Sequence, residues 1–433
     1  MRRNISEFHT QKLTYKIREV VAVATQIGAL GRDIIWENIG DPVKKGESPP
    51  DWIKEIVQEA AGRDESYAYS PTKGVLETRQ YLAARHNKSS PALLTADNIL
   101  FFNGLGDAIS NLYRHLDPEA RVIGPDPSYP SHAAAEASHA AAAPLMYRLD
   151  PSTGWQIDLV DLEEKLEENK DIVGILVVSP GNPTGGVLSR ASLEGVADLA
   201  RRYDCFIVSD EIYDGLRFST AETTRVTDVS EAVPTVVMRG LSKEVPWPGA
   251  RCGWLEFYNT NTDLEFEGFR KRLVDTKMHE VCATTLPQLV LPKILSDSRW
   301  EDHLHERSRA YEKRADELVE ALSDLDGVTP VRPDGAYYVS ILFEDGVLSD
   351  SQSLPIADPE IQAIIQPLVA QATPDERFVY FLLAAEGICV VPLSTGFHSR
   401  FQGFRMTLLE PDEAIFKDMC RRIKSAIEAY LGS

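Results

Sequence analysis

Between Asn98 and Phe257 short apolar runs alternate with helical patterns, and this alternation constrains the fold more than any other feature. The runs are Asn98–Phe102, Arg121–Gly124, Asp171–Ser179, Cys205–Asp210, Thr235–Met238 and Cys252–Phe257. Helical stretches at Asp107–Leu116, Leu159–Glu168 and Arg190–Tyr203 lie between several of them. The runs carry β-branched residues without strict alternation, which suits strands buried on both faces. Strand and helix in turn predict an α/β fold with a mainly parallel, doubly wound sheet. The Ala-rich stretch His132–Pro144 reads as a helix leading to a further strand.

After Pro287 the texture changes. A charged helical stretch, Ser298–Leu325, places Trp300, Leu304, Tyr311, Leu318 and Leu322 on a roughly helical period. Short strands follow near Ala336–Leu342, Ile388–Val391 and Phe404–Leu408, then a final helix, Pro411–Leu431. These predict a smaller α+β domain. A helix over Leu13–Ile27 and a strand over Asp33–Asn38 precede the sheet and are expected to pack on that domain. The expected division is therefore an N-terminal segment 1–50, a large domain 51–297 and a small domain 298–433. The polar segment Glu344–Asp358 reads as a surface loop.

Charge narrows the function. Lys and Arg total 45 against 66 Asp and Glu, a net charge of −21 over 433 residues. A nucleic-acid face needs a basic stripe, and docking on anionic lipid needs basic clusters. The beginning of the chain has no apolar stretch of the secretory kind. The longest apolar run, Ile172–Val178, is far short of the ~20 residues that a membrane helix needs. Five scattered cysteines without a Cys-x-x-Cys pair read as reduced thiols in a cytoplasmic enzyme.

Chemistry is concentrated at the predicted strand ends, where open α/β sheets bind ligands. Asp171–Ser179 leads into Pro180-Gly181-Asn182-Pro183-Thr184-Gly185, and Cys205–Ser209 into Asp210-Glu211-Ile212-Tyr213. Thr235–Met238 leads into Arg239-Gly240-Leu241-Ser242-Lys243, with Arg251 a little further on. A lysine beside another cation can form a Schiff base. An aspartate can keep a ring nitrogen protonated, asparagine and tyrosine can bind a phenolate oxygen, and arginine can clamp a phosphate. Together these meet the demands of pyridoxal 5′-phosphate.

The stretches Ser179–Gly185, Ser209–Tyr213 and Ser242–Trp254 resemble the class I/II aminotransferases of fold type I. The resemblance runs over nearly the whole chain, through Asn38–Pro42, Tyr69–Gly74, Phe102–Ala108, Asp126–Pro130, Gly335–Tyr338 and Phe404–Thr407. It implies that Lys243 holds the cofactor aldehyde and moves the proton during exchange. Asp210 would pair with the pyridine nitrogen, Asn182 and Tyr213 would bind the ring oxygen, and Tyr129 would stack on the ring. Arg251, Ser242 and the backbone amides of Leu105 and Gly106, at a helix N-terminus, would hold the phosphate. Arg405 would bind the substrate α-carboxylate, with Gly40 closing over it and Asn182 alongside. Tyr69 would reach the phosphate of the neighbouring subunit in a homodimer. Packing and turn roles are the alternatives for Tyr69, Tyr129 and Gly40.

Gly387–Pro392, Phe404–Leu409, Tyr15–Arg18 and Gly240–Lys243 look most like alanine aminotransferases. That implies ping-pong exchange between an L-amino acid and a 2-oxo acid, of the alanine/2-oxoglutarate type. Tyr15 would touch the substrate side chain or simply pack. An aspartate or aromatic aminotransferase, or a β-lyase on the same scaffold, would use the same residues. An aspartate-type enzyme also needs a cation for the second carboxylate, and Lys44, Lys45 and Arg270 are candidates. The chain departs from the family pattern at Gly106 and Gly240, where phosphate-binding hydroxyls are usual, and in the turn Pro392–Phe397. His303 and His305 do not share a helix face, and no metal site is expected.

Overall fold

The computed structural model describes residues 16–433, so Tyr15 lies outside the described residues. In chain order the strands are β1 (Ile35–Trp36), β2 (Ile99–Phe102), β3 (Arg121–Asp126), β4 (Met146–Asp150), β5 (Gln156–Ile157), β6 (Ile172–Val178) and β7 (Phe206–Asp210). There follow β8 (Thr235–Gly240), β9 (Gly253–Tyr258), β10 (Val328–Val331), β11 (Tyr338–Phe343), β12 (Ile388–Cys389), β13 (Val391–Pro392) and β14 (Gly403–Thr407). Eight of them form one sheet in the order β2-β9-β8-β7-β6-β3-β4-β5. Its centre is parallel, from β8 through β7, β6 and β3 to β4. Strand β9 runs antiparallel to both its neighbours.

Successive side chains along the strands of the large sheet enter opposite cores, as the two-residue period of a strand requires. Phe101, Ile175, Ile207 and Val237 join the larger apolar cluster. Their neighbours Phe102, Leu176, Val208 and Val236 join the second cluster, under the helices Leu105–Arg114 and Leu264–Glu280. This is why the strands read as continuous apolar runs.

Beyond the large sheet, β10, β11, β14 and β13 form an antiparallel sheet. The long helix Trp300–Leu322 and the last helix Glu413–Leu431 pack against each other beside it. The helix Lys16–Ala29 packs on the helices Pro359–Val369 and Pro374–Glu386, and β1 pairs in parallel with β12. Only Ile35–Trp36 of the expected strand Asp33–Asn38 is a strand, because the chain then bends toward the carboxyl edge of the large sheet. The expected strand Ile388–Val391 is two strands with different partners. Residues 344–358 carry no helix or strand, yet Gln352 and Leu354 are buried.

Gly185 joins the two sheets. Its carbonyl accepts from the amides of Asp334 and Gly335, both at 2.9 Å. Its φ is +67°, and a Cβ there would stand 2.3 Å from Pro333 Cβ and 2.5 Å from the Tyr338 carbonyl. Only glycine satisfies both the conformation and the close approach. Gly185→Ala is expected to cost at least about 2 kcal/mol through strain and overpacking. Urea denaturation checks this as a lower midpoint with an unchanged slope.

Candidate active site

The register of the large sheet brings the motifs together. Val178 of β6 is paired with Asp210 of β7, and Asp210 with Met238 of β8. The chain therefore leaves the sheet at one edge toward Asn182, Tyr213 and Lys243. Strand β9 enters at the same edge because it runs the other way, which brings in Arg251. The end of β2, where Phe102 is paired with Gly253, adds the segment Asn103–Gly106. The end of β3 adds Tyr129.

Asp210 is buried, and its Oδ2 lies 3.1 Å from His132 Nε2 while Oδ1 accepts from the Ile212 amide. The edge of the half-buried Tyr129 ring meets the His132 ring at a centroid distance of 6.3 Å. His132 carried no role in the sequence reading. Its only local signal is a histidine in the first turn of the helix Pro130–Ala140, and its partner is 78 residues away. Asn182 sits in the turn after β6 with Oδ1 buried and unpartnered.

Lys243 and Ser242 occupy the single helical turn Leu241–Glu244 after β8. Lys243 Nζ donates to the Gly40 carbonyl at 2.6 Å and lies 5.9 Å from the Tyr213 ring centroid. The Tyr337 hydroxyl donates to the same carbonyl at 3.1 Å. The Tyr213 and Tyr338 hydroxyls are 3.0 Å apart. Burial, reinforced by the phenols of Tyr338 and Tyr337, pushes the Tyr213 phenol well up, so it stays protonated and able to donate. Arg405, on β14, is buried with its guanidinium over the Tyr338 and Phe397 rings. One nitrogen donates to the Asn38 carbonyl at 2.8 Å, and Nε has no partner.

Arg251 lies across the start of the helix Leu105–Arg114. Its guanidinium donates to the carbonyls of Pro248 and Asn103. A Cβ at Gly104 would stand 2.4 Å from Arg251 Nη2. The amides of Leu105 and Gly106 are at the first two positions of this helix, where amides have no acceptor within the helix. Amides and guanidinium together make an anion cradle. The loose-looking turn Pro392–Phe397 is the short helix Leu393–Gly396, held by Asp375, which accepts from Ser394 and Gly403. The next residues reach the Tyr129 segment, where Arg400 pairs with Asp126 at 2.7 Å and Ser128 donates to the Phe397 carbonyl. Tyr69 is 84% exposed.

The candidate cations for a second carboxylate are engaged elsewhere or exposed. Lys45 pairs with the buried Glu37 at 2.8 Å and with Glu410. Arg270 makes two 2.7 Å bonds to Glu267, and Lys44 is exposed. His303 Nε2 bonds the Glu244 carbonyl. Among the described residues no group of three or more His, Cys, Asp or Glu side chains could hold a metal ion.

The arrangement suits a flat, phosphorylated ring compound. It has an anion cradle at one end, an aromatic wall, an aspartate backed by histidine, an amine held by the Gly40 carbonyl, and a buried arginine with an unused donor. Buried Asn182 Oδ1, Asn38 Oδ1 and Nδ2, His132 Nδ1 and Arg405 Nε lack protein partners, as a site built for a polar ligand requires.

Residues 32–423 match the family of class I and II aminotransferases. The chain is 46% identical to an uncharacterized aminotransferase of Methanocaldococcus jannaschii over the whole of both chains. It is 29% identical to an alanine aminotransferase of Mycobacterium tuberculosis, covering 90% of this chain and 84% of the relative. A solved alanine aminotransferase from Pyrococcus furiosus superposes with a TM-score of 0.85 at 25% identity, over 98% of this chain and 99% of that one. The doubly wound sheet with its small antiparallel partner thus has its counterpart in solved aminotransferases, and the chain belongs to the class I and II aminotransferases, with fold type I.

Proposed function

We propose that this aminotransferase uses pyridoxal 5′-phosphate to exchange the amino group of L-alanine with 2-oxoglutarate in a ping-pong cycle. The observation that carries the cofactor reading is Lys243 Nζ, held at 2.6 Å by Gly40 and ringed by Tyr213 and Tyr337 at the edge that also holds Asp210. The bound cofactor would supply an aldehyde for the substrate amine and a ring that withdraws electrons from its α-carbon. Arg251 and the amides of Leu105 and Gly106 would bind the phosphate, with Ser242 beside them. Asp210, backed by His132, would hold a proton on the ring nitrogen. Asn182 and Tyr213 would bind the ring oxygen, and Tyr129 would cover one face.

Arg405 would take the substrate α-carboxylate through its unpartnered Nε, and Gly40 would close over it. Lys243 would lift the α-proton onto Nζ and hand it to C4′, the carbon of the cofactor's aldehyde group on the other side of the amino nitrogen, as general base and then general acid. Alanine as donor is supported by the named relatives of Mycobacterium and Pyrococcus.

A homodimer belongs to the same proposal. Tyr67, Tyr69, Leu76, Met278 and Val281 are exposed apolar side chains. Hydrogen bonds from Thr285 to Ala68 and from Ser70 to Ala283 bring their two segments side by side. Thr284 in turn donates to Asn103 in the anion cradle. A second copy seated there would bring Tyr69 to the partner's phosphate site. The free cysteines fit a reducing, cytoplasmic location.

With the cofactor supplied, L-alanine alone is expected to give one pyruvate per active site, and sustained turnover only when 2-oxoglutarate is added. Pyruvate and ammonia released continuously from a β-substituted amino acid would instead establish a lyase. Lys243→Ala is expected to lower turnover by at least ~10³-fold while the urea midpoint changes little, consistent with losing a general base. Wild-type exchange by that variant would end this reading. Tyr69→Phe is expected to weaken cofactor affinity about tenfold, as loss of a hydrogen bond to a charged phosphate does. Equilibrium dialysis of the cofactor checks it, and an unchanged affinity removes Tyr69 from the site.

A further inference from the structure

The segment from Asn38 to Glu47 stands over Lys243 and is tied down at both ends. At one end Arg405 holds the Asn38 carbonyl and the Thr407 hydroxyl donates to buried Glu37, which also holds Lys45 near the other end. In the middle Val43 and Lys44 are exposed. At the other end Glu47 accepts from Arg307 Nε and from the Tyr311 hydroxyl. Arg307 and Tyr311 are four residues apart on the helix Trp300–Leu322 and therefore share a face.

Arg307 divides its remaining donors between the backbone at Lys243 and the Tyr311 hydroxyl. Nη1 donates to the carbonyl of Lys243 at 2.7 Å and to that of Glu244 at 2.8 Å. Nη2 donates to the Tyr311 hydroxyl at 2.9 Å. The turn Leu241–Glu244 is four residues long, so its last carbonyls have no further helical turn to bond them. Arg307 serves two of them, and His303, one turn earlier, bonds the Glu244 carbonyl as well. A planar fork can serve a carboxylate and two carbonyls at once, which a lysine ammonium cannot do with fixed geometry.

These contacts close a ring. It runs from the Lys243 backbone through Arg307 and Glu47, along the segment to the Gly40 carbonyl, and back to Lys243 Nζ. The Arg307 side chain is 7% exposed and that of Glu47 is 23% exposed. The guanidinium is thus buried while the Glu47 carboxylate reaches the rim, and Arg307 keeps its carbonyl and phenol acceptors when Glu47 is neutralised. Tyr311 meets the Tyr337 ring, whose hydroxyl bonds Gly40, so a second path runs parallel to the first.

We propose that Arg307 is a positioning residue for amino-group exchange, and that its ion pair with Glu47 latches the segment 38–47 at a set height above Lys243. The proposal rests on the reading of Lys243 as the reacting lysine and of Gly40 as the residue that closes over substrate. Arg307 fixes the backbone from which Lys243 reaches, and Glu47 fixes the cover that meets its amine. The two functions separate by mutation. Glu47→Gln leaves the Arg307 bonds to Lys243 and Glu244 in place and weakens only the latch. Arg307→Lys loses both.

The experiment is amide hydrogen exchange of residues 41–47 together with steady-state kinetics on the cofactor-loaded enzyme. Glu47→Gln is expected to speed exchange in that segment and raise KM for the amino donor, each about tenfold, with kcat within about twofold of the wild type. Arg307→Lys is expected to lower kcat about tenfold as well. If that variant does not fold, Glu47→Gln decides alone. Unchanged exchange in Glu47→Gln overturns the latch, whatever KM does. Faster exchange with an unchanged KM makes the pair a packing feature and overturns the positioning role. Exchange is read without turnover, so a wrong assignment of Lys243 would appear in the Lys243→Ala variant and leave the exchange result standing.

Discussion

The in-register ends of β6, β7 and β8 are the constraint on which the rest of the molecule depends. Pairing of Val178 with Asp210 and of Asp210 with Met238 puts three chain exits on one line. A slip of one residue in a strand would turn its side chains to the other core and move its exit. The double apolar burial of these strands is what prevents such a slip. The helices on both faces therefore stabilise the fold and also fix the distances between Asn182, Asp210 and Lys243. The antiparallel β9 starts from that same edge, so Arg251 just before it is delivered without a further crossover.

That edge is held together at some cost. Asn38, Asn182, His132 and Arg405 each keep at least one buried polar atom without a protein partner. An unmade buried hydrogen bond typically costs about 1–3 kcal/mol. A ligand that supplies those partners would recover part of this, which links binding to stability. The tyrosines work differently. Tyr213, Tyr337 and Tyr338 bond one another or the Gly40 carbonyl, so they reach the ligand space already oriented. Order is supplied by aromatic contacts, and affinity is left to the unpaired atoms.

Much of this was legible in the residues, and the reasons are local. Apolar runs of four to seven residues betrayed the central strands, and the polar residues just after them betrayed the exits. The helix Pro374–Glu386 gave no such signal, because Phe378 through Ala384 are all buried and leave no polar face to set a period. His132 and Arg307 were missed for another reason. Their partners lie 78 and 260 residues away, and nothing beside them in the chain marks the pairing. Lys45 and Arg270 were considered as substrate-binding cations because charge alone does not reveal a partner. Glu37, buried beside β14, is what commits Lys45.

The bond from Arg405 to the Asn38 carbonyl has a consequence for how the molecule is made. Its two residues are 367 positions apart, and Thr407 likewise donates to Glu37. During synthesis the large sheet can be complete while the segment beneath Arg405 still waits for its partner strand. Contacts this distant in sequence form late, after the loop-closure entropy between them has been met. With the roles proposed for them, the amine of Lys243 and the anion cradle would exist before the arginine that would hold the substrate. A nascent chain would then acquire the means to react before the means to choose, and its last strand would complete the choice.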